Sequence, residues 1–419
     1  MMINMYFLEV FVGNLWGTNS KYQNKPLWSV GGSWNIYKEK FFQADFVDML
    51  KLRASYGIGG NIGRNTAPYL IASYYDSSLV DGMAGSVNTP PNKDIRWEKT
   101  TTVNVGVDFA LFRHRLSGTI EYYNKYSVDL LAAINGSPTQ GFGYTTLMTN
   151  NGKMVNRGVE ITLSGEIIRQ KDFSWNASLL YAFNRNKVKH ISVQPSLWDS
   201  RISMPTSYPM VGKPLYGIYA YKWAGLNENG DPQVYDAENN VTSGPARDYH
   251  ALVYCGTTVP IHNASLTNVL RYKGFEFSAM LILDAGHKLR SSNIPSINMS
   301  NGRITSTAKG IVDRWTQPGD VTDVPRLLFS NDTENFNTHR TELYRYSDLF
   351  VYDASNIRLS NISLAYRVPA HWCKKISLSG ARLQFNVENV ATFAFDSKAN
   401  YDLGGKVKPN YVWGLYLNF

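Results

Sequence analysis

Two short segments have the residue types of a ligand-binding loop. Gly57–Gly63, with the sequence GIGGNIG, is similar to a glycine-rich phosphate-binding loop, but Ile62 occupies the third glycine position and no helical pattern follows. Asn227–Asp231, with the sequence NENGD, has oxygen-bearing side chains at alternate positions, as in a calcium loop. The Asn229–Gly230 pair within it is a dipeptide typical of tight hairpin turns. We therefore interpret the first segment as a strand-to-loop turn and the second as a hairpin turn.

The reactive side chains form no catalytic or metal-binding pattern in the sequence. Cys255 and Cys373 lie 118 positions apart, with no CxxC pair and no ligand-like spacing to any of the seven histidines. There is no G-x-S-x-G motif, and no histidine pairs with another histidine or a cysteine at helical spacing. The sequence therefore predicts no enzymatic activity, no metal site and no cofactor.

One further segment, Arg96–Thr100, combines charged and aromatic residues. It could contact a sugar, but the pattern is more typical of an interfacial aromatic belt, with Trp97 in the belt and Arg96 and Lys99 near lipid headgroups. The net charge of +9 comes from 42 Lys and Arg against 33 Asp and Glu, and the basic residues are scattered. We therefore expect no nucleic-acid partner, since such proteins concentrate their basic residues in runs or patches.

The elements that position these residues are predicted to be long β-strands. In Thr102–Phe112 one face is apolar and the other is small or polar, which is the period-2 pattern of a two-faced strand. The apolar face consists of Val103, Val105, Val107, Phe109 and Leu111. A strand at Leu116–Leu131 completes a hairpin whose arms exceed the usual length of strands in soluble proteins. Such lengths suit tilted membrane crossings.

The same pattern predicts further antiparallel hairpins along the chain. They pair Gly158–Ile168 with Phe173–Asn184, Asn263–Tyr272 with Phe275–Gly286, and Asn356–Val368 with Ile376–Asn389. The apolar phase slips between Leu359 and Ile362, which predicts a β-bulge. Earlier strands are expected at Tyr6–Val12, Ser29–Ile36 and Asp48–Gly57, which gives about twelve crossings in all.

Short and long connections alternate between these strands. The short connections are Arg113–Arg115, Arg169–Asp172, Lys273–Gly274 and Pro369–Lys375. The long connections are Ile58–Glu98, Ala132–Met154, Ile191–His262, His287–Tyr352 and Thr392–Lys406. This alternation is typical of outer-membrane barrels, which have tight periplasmic turns and long extracellular loops. We therefore expect an all-β antiparallel transmembrane barrel, with Tyr216–Asp236 as an extra hairpin within one long extracellular loop.

The last nine residues are a ladder of large apolar side chains. Every second residue faces one way, and these residues are Tyr411, Trp413, Leu415, Leu417 and Phe419. An exposed edge of this kind favours aggregation in water, whereas a strand in a membrane barrel needs an apolar outer face. We interpret the ladder as lipid-facing and as a signal for the barrel-assembly machinery.

Six segments of the sequence together resemble a known family. They are DMLKLRASYGIGGNIG, IRWEKTTTVNVGVDFALFRHRLSGTIEYYNKYSVDLL, NNGKMVNRGVEITLSG, DRWTQPGD, DASNIRLSNISLAYRVP and LQFNVENVATF. In this order, from about Trp28 to Phe419, they look like the C-terminal barrel of SusC/RagA-type TonB-dependent outer-membrane transporters. The resemblance implies a plugged barrel of the 22-stranded class that imports oligosaccharides or peptides.

The resemblance also implies partners and a domain organisation. The family pattern includes a SusD-like surface lipoprotein above the barrel and coupling to the TonB complex through an N-terminal plug. No plug-like region precedes the strands here, and the first residues lack the basic start of a signal peptide. We therefore expect residues 1–419 to be the C-terminal part of such a barrel, without plug domain or signal peptide. The alternative is a passive outer-membrane barrel or surface-binding protein without energy coupling.

Overall fold

The computed structural model describes most of the chain. The described residues are 3–13, 25–61, 63, 68–78, 82–135, 139, 146–195, 200–244, 248–300, 303–327, 338–375, 377–404 and 408–419. Contacts divide the chain into two compact units. The first consists of Met1–Gln194, Pro209–Leu215 and Ala264–Lys273, and the second of Pro195–Tyr208, Tyr216–Asn263 and Gly274–Phe419.

Strands dominate the described residues, and the helices are short. The strands are β1 (Ile3–Gly13), β2 (Lys25–Asn35), β3 (Val47–Asn61), β4 (Ile71–Ser77), β5 (Gly82–Thr89), β6 (Glu98–Leu111), β7 (Leu116–Asn135), β8 (Thr146–Arg169), β9 (Phe173–His190), β10 (Gly217–Tyr221), β11 (Trp223–Leu226), β12 (Pro232–Tyr235), β13 (Val241–Thr242), β14 (Leu252–Thr257), β15 (His262–Tyr272), β16 (Phe275–Ala285), β17 (Lys288–Arg290), β18 (Ile297–Ser300), β19 (Arg303–Thr307), β20 (Val351–Asp353), β21 (Asn356–Arg367), β22 (Gly380–Ala394) and β23 (Asn410–Asn418). The α-helices are α1 (Ser200–Ser203), α2 (Thr338–Arg345), α3 (Ala370–Lys374) and α4 (Asn400–Gly404). Within the described ranges, no helix has the length and apolar character needed to cross a membrane.

The first unit is built on long antiparallel strands in the order β1-β2-β3-β6-β7-β8-β9-β15. The three strands predicted before residue 60 are present at β1, β2 and β3. The predicted hairpins are confirmed at β6–β7 and β8–β9, where turn residues 112–115 and 170–172 connect the arms. β4 and β5 form a separate hairpin within the predicted long connection Ile58–Glu98.

Two interpretations of segments in this unit are wrong. Gly57–Asn61 is not a turn but continues β3 and pairs with Glu98–Thr102, so the glycine-rich segment is largely a strand, while Ile62 lies outside the described residues. Most of the predicted connection Ala132–Met154 is also strand, because β7 and β8 pair up to Asn135 and Thr146. Register shifts between Ser127 and Leu131 interrupt the alternation that would have predicted the longer strands.

The second unit contains four long strands in the order β16-β21-β22-β23. The predicted β-bulge in β21 is confirmed, because Leu359 and Asn361 pair with consecutive residues of β16 and leave Ser360 unpaired. The strand predicted from Ile376 begins instead at Gly380, because α3 and its following turn occupy the connection after Val368. Ile376 itself lies outside the described residues.

A small core in the second unit supports the residues that connect its long strands. All five residues of β10 are buried, and β10 pairs with β14. Leu343 and Tyr344 of α2 are buried as well, and the ring of Tyr344 packs edge-on against Phe350 with centroids 4.9 Å apart. The amide of Tyr221 donates to the carbonyl of Tyr346 at 2.9 Å, which ties β10 to the end of α2.

Candidate functional site

One face of the four-stranded sheet in the second unit is a continuous apolar surface. Residues directly opposite each other in antiparallel strands share a face, so the strand register defines rows across the sheet. One row consists of Phe277, Leu364, Phe385 and Trp413, and the next of Phe275, Tyr366, Leu383 and Leu415. Trp413 is 79% exposed and its ring lies 4.2 Å from that of Phe385. Exposed apolar rows of this kind suit contact with lipid.

The predicted C-terminal ladder belongs to this surface. Tyr411, Trp413, Leu415 and Leu417 alternate along β23 and are all exposed, and Phe419 follows the strand with an exposed ring. The carbonyl of Phe419 accepts a hydrogen bond from the Ser379 hydroxyl at 3.3 Å. The lipid-facing arrangement is therefore supported by the geometry, while the role as a barrel-assembly signal stays a prediction.

The opposite face of the same sheet is polar. Glu276 and Arg382 form an ion pair at 3.0 Å, and the Gln384 amide donates to Ser363 and Asn386. These residues alternate with the apolar rows along the same strands. Each strand thus has one side for hydrocarbon and one for water, as expected in the wall of an aqueous barrel.

The first unit has the same two-faced pattern in β3, β6 and β7. Leu52, Val107 and Ile120 are opposite each other on one face, as are Ala54, Val105 and Tyr122. This confirms that Val103, Val105, Val107, Phe109 and Leu111 alternate with polar neighbours along one strand.

A charged cluster occupies the other face of these strands. The Arg53 guanidinium binds Asp108 at 3.2 Å and Glu121 at 2.6 Å, while Asn104 donates to Glu121. Gly106 lies beneath Arg53, and a Cβ at this position would be 3.0 Å from the guanidinium carbon. A larger residue at this position would therefore require the Arg53 guanidinium to shift from its place between carboxylates on two neighbouring strands.

The predicted interfacial segment at Arg96–Thr100 is anchored by polar contacts. Arg96 forms an ion pair with Asp129 at 2.6 Å, and its backbone amide and carbonyl both bind the Asn150 side chain. The ring of Trp97 lies over Gly60 and close to Leu27. Arg96 is therefore bound to a carboxylate of the protein, which was not predicted, while contact of this segment with headgroups stays a prediction.

The segment Asn227–Asp231 forms the predicted hairpin turn between β11 and β12. The Asn227 side chain accepts from the amides of Asn229 and Asp231, and Gly230 has a φ of +73°. A Cβ on Gly230 would collide with the ring of Trp315. The turn therefore requires glycine both for its positive φ and for the space that the Trp315 ring occupies.

The carboxylate of this turn is bound by two arginines. The Arg326 guanidinium donates to both carboxylate oxygens of Asp231, at 3.1 and 2.9 Å, and the Arg340 guanidinium donates to one of them at 2.5 Å. Burial alone would raise the pKa of Asp231, but the hydrogen bonds from the two guanidiniums outweigh burial and the pKa lies below its usual value. We call Asp231, Arg326 and Arg340 the Asp231 cluster. Its cationic partners leave no role for Asp231 as a calcium ligand.

A cavity of about 660 Å³ adjoins this cluster within the second unit. Four arginines contribute to its walls: Arg290 of β17, Arg326, and Arg340 and Arg345 of α2. Sequence reasoning did not identify this cavity, because its residues come from segments far apart in the chain. Among the described residues, no group of three or more His, Cys, Asp or Glu side chains is placed to hold a metal ion.

Comparison with known proteins identifies the architecture. A family model described as the β-barrel of TonB-dependent receptor-like proteins matches residues 8–390. The chain belongs to this receptor β-barrel family. TonB-dependent receptor P3 of Formosa agariphila is 27% identical over 425 residues, a match that covers 95% of this chain and 40% of P3. SusC of Bacteroides thetaiotaomicron is 25% identical, with 89% of this chain and 38% of SusC covered.

A solved structure shows the same fold as the receptor barrel described here. The structure of the RagAB peptide transporter aligns with a TM-score of 0.75 at 23% identity and covers 96% of this chain and 44% of that chain. The expected SusC/RagA-type barrel and its outer-membrane location are thereby confirmed. The chain spans about 40% of the length of the curated relatives it matches.

Proposed function

We propose that this chain forms part of the wall of a TonB-dependent importer for oligosaccharides or peptides. The observation that carries the proposal is the two-faced sheet, which lies in a chain that matches the receptor β-barrel family. One side of the sheet has apolar rows, such as the row from Phe277 to Trp413 across four strands, and the other side has paired charges, such as Glu276 with Arg382. A wall of this kind separates lipid from a wet interior, and an importer needs both surfaces.

The proposal includes two partners. A SusD-like surface lipoprotein is expected because SusC is among the relatives and RagAB is a structural neighbour. Energy coupling through the TonB complex is expected from the family, with the TonB contact outside residues 1–419.

The test is uptake by the complete receptor expressed in an outer membrane. Cells with the receptor and its neighbouring lipoprotein should accumulate labelled oligosaccharide or peptide only when TonB is functional, and a TonB-null strain is the matched control. Uptake that is equal with and without TonB would instead support a passive barrel. An in-frame upstream sequence that encodes a plug would support the proposal independently.

A further inference from the structure

The cavity in the second unit is unusual in its charge. Besides the four arginines in its walls, two carboxylates lie close to it: Asp231, and Asp402, which accepts hydrogen bonds from Ser291 and Ser292. Asp231 binds Arg326 and Arg340, so the charge of that pair of arginines is partly balanced. The other two arginines, Arg290 and Arg345, determine what the cavity can bind.

Arg290 and Arg345 share one aromatic ring. The guanidinium carbon of each lies 5.6 Å from the centroid of Tyr346. Arg290 directs its donors to the backbone carbonyls of Tyr219, Arg345 and Ser347, and within the described part of the chain neither arginine has a carboxylate within ion-pair distance. Burial lowers the pKa of Arg290. Two adjacent cations with only neutral partners favour an anion between or beside them.

The remaining wall combines hydroxyl groups with apolar side chains such as Ile294, Ile311 and Leu327, a mixture that suits the polar and apolar faces of a sugar ring. Ser296 and Thr341 contribute hydroxyl groups that can donate to and accept from sugar hydroxyls, while the Ser292 hydroxyl donates to Asp402 and can still accept. A cavity of about 660 Å³ lies in the range of small-molecule sites. Guanidinium groups match carboxylates in both charge and planar geometry, so they add selectivity for an acidic group.

We propose that this cavity binds the carboxylate of a uronic-acid-containing oligosaccharide, with Arg345 as the main cationic contact and Arg290 behind it. The proposal rests on the import function proposed above and narrows its substrate class. Arg345 is exposed and forms no ion pair with the described residues, whereas Arg290 and Arg340 hold backbone and carboxylate groups in place.

The experiment measures equilibrium binding to the complete receptor in detergent by titration calorimetry. The probes are digalacturonate, the neutral disaccharide galactobiose and the dipeptide Glu-Glu. We expect digalacturonate to bind more tightly than galactobiose, and Arg345→Gln to weaken digalacturonate binding by about tenfold, because a charge-assisted hydrogen bond is lost. Arg345→Lys should retain part of the affinity, since it keeps the charge but loses the planar fork.

Arg367→Gln is the matched control, because Arg367 is an exposed arginine at the end of β21 and does not contribute to the cavity. It should leave binding unchanged. Equal binding by the wild type and Arg345→Gln, an equal loss in both variants, or no binding of digalacturonate at all would overturn the inference. Tighter binding of Glu-Glu than of digalacturonate would overturn the assignment to a sugar.

The binding result is independent of energised uptake. Loss of affinity in Arg345→Gln together with absent TonB-dependent uptake would leave the cavity assignment intact and remove the import function. TonB-dependent uptake of neutral oligosaccharide with no effect of Arg345→Gln on binding would leave the import function intact and overturn the cavity assignment.

Discussion

Single charged residues in this chain are held by partners that are distant in sequence. Asp231 was correctly predicted to lie in a hairpin turn, because Asn-Gly within a polar segment is a local signal. Its partners Arg326 and Arg340 lie 95 and 109 positions further along the chain, and no local pattern connects them. The sequence therefore predicted the backbone of this site but not its electrostatics.

Replacement of Asp231 by Asn should loosen the segments that the Asp231 cluster connects. Arg326 and Arg340 would lose a charged acceptor in a setting where the Asp231 side chain is only 21% exposed, at a local cost of about 1–3 kcal/mol. Limited trypsin digestion of the complete receptor should then cut faster after Arg326 and Arg340. Glu238→Gln, which changes an exposed carboxylate nearby, is the control, and an equal cleavage rate in both variants would contradict the expected role.

The same carboxylate should make this region sensitive to acid. The pKa of Asp231 is lower in the folded protein than the ordinary value of 3.8. The stabilisation of the folded state by the ionised carboxylate is therefore complete above pH 3.8, and it is lost as the pH falls through the folded-state pKa. Hydrogen exchange of residues 316–327 should therefore differ between the wild type and Asp231→Asn at pH 6, and this difference should shrink below pH 3.8. A difference that persists unchanged in acid would rule out titration of Asp231 as the cause.

At the level of single strands, alternation predicted the faces well and the strand ends poorly. The apolar and polar sides of β6 and β23 follow directly from period-2 patterning. The extensions of β7 and β8 were missed because Asp129 has a φ of +57° at a register shift, which moves the following residues out of phase. The start of β22 was misplaced because α3 shortens it, and a helix of five residues has no detectable periodicity.

A cation on the apolar face should disrupt the wall, while its neighbour should tolerate one. Val105 is 40% exposed near the middle of β6, so Val105→Arg should cost about 2–4 kcal/mol by placing a charge in hydrocarbon. Asn104→Arg, one residue away on the polar face, would instead lie beside the Glu121 carboxylate. The effect of each variant is measured as the fraction of folded, heat-resistant receptor in liposomes. Equal losses for Val105→Arg and Asn104→Arg would show that the faces are misassigned.

The extra residue in β21 should be needed for the pairing of that strand with β22. Leu359 and Asn361 pair with Ala391 and Glu388 of β22, which are three positions apart. Deletion of Ser360 would keep Leu359 on the same face as Ile362, but it would make Leu359 and Asn361 adjacent and so enlarge the mismatch with β22 to two residues. We expect a lower yield of folded receptor from this deletion. Ser360→Ala keeps the length of the strand and should fold normally, so similar yields from the two variants would argue against a structural role for the extra residue.

On the scale of the whole molecule, the two ends of the strands differ in what connects them. At one end, turns such as residues 112–115, 170–172 and 273–274 are short. At the other, the segments between β3 and β6, between β9 and β15 and between β16 and β21 contain their own strands, buried residues and cavity. The alternation was predictable from the sequence, because each short connection separates two segments of period-2 pattern by only a few residues. The internal structure of the long segments was not predictable from the sequence, apart from the hairpin at Asn229 and Gly230.

This asymmetry predicts the orientation in the outer membrane. A cysteine at Ser296, an exposed residue of a long segment, should react with a membrane-impermeant maleimide on intact cells, whereas one at Lys273 should react only after permeabilisation. The native thiols give a low background, since burial raises the pKa of Cys255 to about 11 and Cys373 is buried. Labelling at Lys273 on intact cells would reverse the assignment of the two sides.

The Asp231 cluster also determines when these segments can become ordered. Asp231 emerges before β12, and its partners only after β19, so the eight strands from β12 to β19 must be present before either ion pair can form. Contacts between residues so far apart close large loops and form late in folding. Until these ion pairs form, the hairpin at Asn229 is not held by Arg326 and Arg340. The segments between β9 and β15 and between β16 and β21 are then exposed to the proteases and chaperones of the compartment that the nascent receptor crosses.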